Sequence, residues 1–241
     1  MKPDNIRIVL VGTTHAGNIG FAARAMKTMA LSQLHLVAPA RFPDPQAEAN
    51  ATHAVDVLAA AQVHGDLDAA LTGAGLVAGL TARTRRLGAP SVDLRSFAGL
   101  AAAESERHPV ALLFGREHSG LSNEELDRCQ YVVHIPTNPA YGVLNLGAAV
   151  QVVAYELFLA GAGAGAEAVA GESVEAAGFE HLEGLYGHLE RVLDEVGFLR
   201  QQNPELLMRR LRRLFGRARP DRVEVDLLRG ALAAIERRLR R

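Results

Sequence analysis

Five short runs in the first part of the chain are almost wholly apolar and rich in valine, isoleucine and leucine: IRIVLV (residues 6–11), LHLVA (34–38), GLVAGL (75–80), VALLF (110–114) and YVVHI (131–135). A strand with one wet face alternates apolar and polar residues, so runs without alternation require cover on both faces. Segments of helical composition separate them, at residues 19–30, 47–63, 67–71, 96–106 and 123–129. Strands alternating with helices give an α/β domain with a mostly parallel sheet between two helical layers. Any ligand site in such a sheet lies beyond the carboxyl ends of the strands. A helix at residues 144–159 closes the unit, with Leu146, Ala149, Val150, Val153, Leu157 and Phe158 at helical spacing.

The composition then changes. AGAGAGAEAVAG (residues 160–171) is small and flexible, as linkers are. The expected organisation is a domain at 1–160, a linker at 161–175 and a helical, basic domain at 176–241. Asn203 followed by Pro204 starts a helix. Leu206, Leu207, Leu211, Leu214 and Phe215 form its apolar stripe, opposite Arg209, Arg212 and Arg213; a further helix spans residues 223–239. From residue 200 onward the balance is +8, against −9 for the remainder. A cationic segment of this kind favours a polyanionic partner, nucleic acid above all.

With 49% apolar residues the chain is globular, and it has no run of about 18 apolar residues. Its first residues lack the charged-then-apolar order of a signal peptide, so a cytoplasmic protein away from membranes is expected. The single cysteine, Cys129, excludes an internal disulfide and a multi-cysteine zinc site, and reads as a buried thiol; no histidine spacing points to a metal.

Three polar, glycine-bearing loops follow strands. In VGTTHAGNIGFAARAMKTM (residues 11–29), Gly12 and Gly17 have P-loop spacing, but Asn18 and Ile19 stand where lysine and serine or threonine belong. Asn18 reads as the cap of the next helix, which carries Gly20, Arg24 and Lys27 on one face. A glycine-opened helix start with a cation one turn in is a plausible anion site, with Gly20 leaving room for an RNA backbone. In FGREHSGLSNEEL (114–126), Ser122 with Glu125 forms a capping box and Leu121 with Leu126 a hydrophobic staple. Gly115, Glu117 and Gly120 have no such local role. In IPTNPAYGVLNLGAAVQ (135–151), Asn145 is either a cap or a ligand contact.

In this order and spacing, the three loops resemble the signature motifs of the SPOUT superfamily of knotted RNA methyltransferases, SpoU class, over about 150 residues. Asn18, Gly20 and Arg24 match the first motif; Gly115, Glu117, Gly120 and Leu121 the second; Ile135, Pro136, Leu144, Asn145 and Leu146 the third. The third-motif wording and the helical extension resemble the branch that 2′-O-methylates cytidine or uridine at position 32 of the tRNA anticodon loop. The resemblance implies a Rossmann-like sheet with a C-terminal deep trefoil knot, although chains almost never thread loops. It implies a homodimer and S-adenosylmethionine as cofactor, held by Leu80, Thr81, Ala82, Arg83, Gly115, Glu117, Ile135, Gly142, Val143, Leu144 and Asn145. Gly142 and Val143 stand where family members commonly carry serine.

Arg24 and Asn18 are the catalytic residues implied, with Arg24 carrying the chemistry. A guanidinium is a poor base at neutral pH, so orienting the 2′-hydroxyl and stabilising the developing alkoxide is the role assigned to it. Lys27, Arg85, Arg86, Arg209, Arg212 and Arg213 are expected at RNA phosphates. Alternatives are a ribose methyltransferase for another tRNA or ribosomal RNA position, and a non-catalytic RNA-binding dimeric regulator. A dinucleotide oxidoreductase fails on the missing glycine fingerprint.

Overall fold

The computed structural model describes residues 1–82, 89–163, 176–199 and 203–239. In chain order the elements are β1 (Ile6–Val11), α1 (Ala16–Thr28), β2 (Gln33–Val37), α2 (Pro45–Ala51), α3 (Val55–Ala59), β3 (Gln62–His64), α4 (Leu67–Leu71), β4 (Leu76–Leu80), β5 (Ser91–Asp93), α5 (Leu94–Glu104), β6 (Val110–Phe114), α6 (Asn123–Leu126), β7 (Tyr131–His134), α7 (Leu146–Gly163), α8 (Phe179–Glu195), α9 (Pro204–Ala218) and α10 (Arg222–Leu239). The strands make one sheet in the order β3-β2-β1-β6-β4-β7-β5, parallel at every pairing. The chain winds outward from β1 through β2 to β3, then returns to build the other half. The reversal beside β1 leaves a crevice at the carboxyl edge there.

The absence of alternation has the predicted cause. Ile6, Ile8 and Leu10 of β1 point into a core shared with α1, α2, α5 and α7. Val9 and Val11 point into a second core with α4, α6 and the first residue of α8, Phe179. Both faces of the strand are dry. Side-chain oxygens start several helices: Asp44 for α2, Asp66 for α4, Asp93 for α5 and Asn203 for α9, and the Ser122–Glu125 capping box is formed at α6.

The helix expected over residues 47–63 is two short helices and an edge strand. Thr52 sits at φ +52°, where a helix cannot continue, and a 3-10 turn (Thr52–Ala54) links α2 to α3. Strands β3 and β5 escape the sequence pattern because each is three residues long and carries polar residues such as Gln62, Ser91 and Asp93.

The last three helices share their own core of Leu182, Leu185, Tyr186, Val192, Met208, Val225 and Leu232. They are also seated on the sheet domain. The Phe179 amide donates to the Ala74 carbonyl at 2.9 Å, and the Glu180 carboxylate accepts from the Gly73 amide at 3.0 Å. Cys129 is buried where α6 meets this helical unit, beside Phe179, Tyr186 and Gly216. Of the linker expected at 161–175, residues 164–175 lie outside the described residues. Among the described residues no helix is long and apolar enough to cross a membrane.

Candidate active site

The three polar loops converge at the carboxyl edge of β1, β6 and β7. Glu117, after β6, reaches the start of α1. Its carboxylate accepts hydrogen bonds from the Thr14 amide (3.1 Å) and hydroxyl (2.9 Å), the His15 amide (3.2 Å) and Asn18 Nδ2 (2.9 Å). Asn145 Nδ2 in turn donates to Asn18 Oδ1 at 3.0 Å, and Asn145 Oδ1 accepts from the Gly147 amide at 2.9 Å, capping α7. Residues 99 and 127 positions apart are thus joined in one chain, Glu117–Asn18–Asn145. Burial disfavours the Glu117 charge, but the hydrogen bonds from Asn18 and Thr14 outweigh it and hold the carboxyl at about 2.

This geometry corrects three expectations. Asn18 is not the cap of α1, which begins at Ala16 with His15 in the cap position; Asn18 is a first-turn residue that ties the other two loops together. The anion at the start of α1 is the protein's own Glu117 carboxylate. Gly20 does not open the surface to RNA: it is buried against α2, and a β-carbon there would overlap the carbonyl oxygen of Ala47.

A cleft of about 170 Å³ lies beside the junction. Nine of the residues expected at the cofactor line it: Leu80, Thr81 and Ala82 after β4, Gly115 and Glu117 after β6, Ile135 after β7, and Gly142, Val143 and Leu144 before α7. Phe114, Arg116, His118, Ser119, Thr137 and Ala149 also line it, and the sequence reading did not single them out. Their shared signal was position, since each lies on or flanks one of the three motif loops. Asn145 does not line the cleft, because its side chain is committed to Asn18 and α7. Arg83 lies outside the described residues. The cleft is tight in places: Gly115 packs on the Gly120–Leu121 peptide with no space for a β-carbon.

Arg24 is exposed and lines a shallow hollow with Phe21, Thr28, Asn145 and Gln151. Asn145 borders this hollow and its neighbour in sequence, Leu144, borders the cleft. Among the described residues no carboxylate pairs with Arg24.

Of the other cations expected at RNA, Lys27 is tied to Asp56 (2.7 Å) and the His53 carbonyl (2.8 Å). Arg209 pairs with Asp127 at 2.7 Å. Arg212 pairs with Glu183 and lies over the Tyr186 ring at 4.4 Å. These arginines tie α9 to the loop after α6 and to α8. Arg213 is exposed, as are Arg210 and Arg217 on the same helix, while Arg85 and Arg86 lie outside the described residues. Among the described residues, no three His, Cys, Asp or Glu side chains gather as a metal requires.

Residues 5–155 match the SpoU rRNA methylase family, and residues 180–241 match the C-terminal domain of the tRNA methyltransferase TrmJ. A protein of Yersinia enterocolitica named tRNA (cytidine/uridine-2'-O-)-methyltransferase TrmJ is 49% identical over 236 residues, covering 97% of this chain and 92% of that one. A protein of the same name from Shigella dysenteriae is 50% identical over 234 residues, 96% of each. The crystal structure of TrmJ from Z. mobilis superimposes with a TM-score of 0.81 at 32% identity, covering 95% of this chain and 98% of that one.

Proposed function

The chain belongs to the SpoU rRNA methylase family, and from that premise we propose that it transfers a methyl group from S-adenosylmethionine to the ribose 2′-hydroxyl of cytidine or uridine at position 32 of the tRNA anticodon loop. The observation that carries this is the Glu117–Asn18–Asn145 chain, which draws the three motif loops to one point beside Arg24. Relatives about half identical over nearly the whole chain, named for methylation of cytidine and uridine in tRNA, support the substrate. Ribosomal RNA, the substrate in the family's name, is the second reading; the match of residues 180–241 to a tRNA methyltransferase domain favours tRNA.

The cleft suits the cofactor. Leu80, Ile135 and Leu144 offer apolar walls between loops whose backbone groups are within reach. S-adenosylmethionine supplies the methyl group on a sulfonium, a leaving group that needs no metal. The protein's task is then to bring the hydroxyl in line and accommodate its developing charge. Arg24 does this: among the described residues its guanidinium is unspent on protein carboxylates, and it rides on a helix whose first turn Glu117 pins. Asn18 acts through that scaffold rather than by touching substrate.

The cytoplasmic protein works as a homodimer. Helices α1 and α7 pack together and leave Phe21, Tyr155, Phe158 and Leu159 between 43% and 47% exposed, an apolar patch suited to a second copy. The third loop forms the trefoil knot of the superfamily, and the chain divides into a catalytic domain (1–160), a linker (161–175) and an RNA-binding helical domain (176–241). Exposed Arg213 contacts phosphate, joined by Arg85 and Arg86. Mapping ribose methylation on tRNA incubated with protein and S-adenosylmethionine tests the reading. A methyl at ribose 32 is the expected result; a methyl elsewhere sinks the position, and none on tRNA but one on ribosomal RNA sinks the substrate.

A further inference from the structure

The turn that leads into the cleft-lining residues Gly142, Val143 and Leu144 carries an exposed aromatic ring. Asn138-Pro139-Ala140-Tyr141 form a β-turn: the Tyr141 amide donates to the Asn138 carbonyl at 2.9 Å, with proline at the second position. Asn138 Oδ1 accepts from the Ala140 amide at 3.0 Å, and the Thr137 hydroxyl closes the loop on the Gly142 carbonyl at 3.1 Å. The turn is therefore held by three hydrogen bonds, yet it presents Tyr141 84% exposed, followed by Val143 at 70%. The next residues in sequence, Gly142, Val143 and Leu144, line the cleft.

We propose that Tyr141 is a stacking platform for the base of the nucleotide being methylated, placing its ribose at the cleft mouth. This rests on the reading of the chain as a tRNA ribose methyltransferase. A base in a single-stranded loop must leave its neighbours to bring its ribose into a cleft, and exposed aromatic rings compensate the lost stacking. Cytosine offers an amino donor where uracil offers a carbonyl acceptor. A site serving both must ignore that edge, and a ring face does so, because every base has a π-face.

The test is a cycle between ring and base on an anticodon stem-loop RNA. Tyr141→Ala raises KM for the RNA on the order of tenfold, as loss of a base–aromatic stack does, with S-adenosylmethionine affinity by calorimetry unchanged. Tyr141→Phe and Tyr141→Trp restore wild-type KM; Tyr141→Leu, apolar but without a π-face, does not. On an RNA abasic at the target nucleotide, wild type falls to the level of the Ala variant, and the Ala variant loses nothing more. A wild-type KM in Tyr141→Ala, rescue by leucine, or additive losses on the abasic RNA overturns the stacking role while leaving the methyltransferase reading intact. Wild-type protein that methylates no tRNA overturns that reading, and this role with it.

Discussion

At the start of α1 a single carboxylate accepts four hydrogen bonds, two of them from backbone amides that the fold already holds in place. In the helical tail the arrangement is reversed: Arg212 and Arg219 each spend a long side chain on one carboxylate, Glu183 and Glu104, and Arg209 spends its own on Asp127 with Glu124 at 4.0 Å. Preset amides cost no rotamer entropy, whereas these half-buried ion pairs must each order two flexible chains. The first arrangement suits a site whose geometry must not drift. The second suits a unit that seats itself against a sheet domain, and it leaves an outer row, Arg210, Arg213 and Arg217, in solvent.

The sharpest way to break the contrast is Arg24→Ala. Turnover on tRNA falls at least ~100-fold, the scale for losing one preorganised donor at a developing oxyanion, while S-adenosylmethionine binding by calorimetry is retained; near wild-type turnover would remove Arg24 from the chemistry. Next is Gly20→Ala, which forces a methyl into the Ala47 carbonyl and destabilises the sheet domain by ~1–3 kcal/mol, read in a thermal melt. An unchanged melting temperature would mean α1 and α2 are not locked together.

Triple reversal of Arg210, Arg213 and Arg217 to Glu raises KM for tRNA on the order of tenfold and flattens its salt dependence. Asp127→Asn, which takes the charge from the inner Arg209 pair, destabilises the fold by ~1–3 kcal/mol. Equal effects of the two changes on tRNA binding would erase the distinction between the rows.

Acid provides the finest discrimination. Glu117 titrates lower in the fold than a free carboxylate, so its contribution is present at neutral pH and fades as pH falls from its ordinary value of 4.5 toward about 2. Glu117→Gln should lose stability at pH 7 and show a flatter acid limb across that window; an acid limb matching wild type would show that the carboxylate anchors nothing.

Much of this was legible in sequence wherever the cause was local. The five apolar runs became strands, the Ser122–Glu125 box formed and Asn203 capped α9. What could not be read was whatever a distant residue decides. Asn18 has the look of a cap, and only Glu117, brought in by the β1–β6 pairing, makes it a bridge. Gly20 looks open until α2 covers it. Arg209 and Arg212 look like phosphate ligands until Asp127 and Glu183 arrive opposite them.

Cys129 gives the tail a clock. Burial pushes its thiol far above the ordinary range, so the sulfur is protonated and shielded at neutral pH. With Phe179, Tyr186 and Gly216 it lines the small hollow where the helical unit rests on the sheet domain. A thiol reagent reaches it when that contact parts, and with a single cysteine in the chain no second site contributes signal. The labelling rate of the unmodified protein therefore counts how often the tail lifts, and the change in that rate on adding tRNA reports whether substrate clamps the two units together or pries them apart.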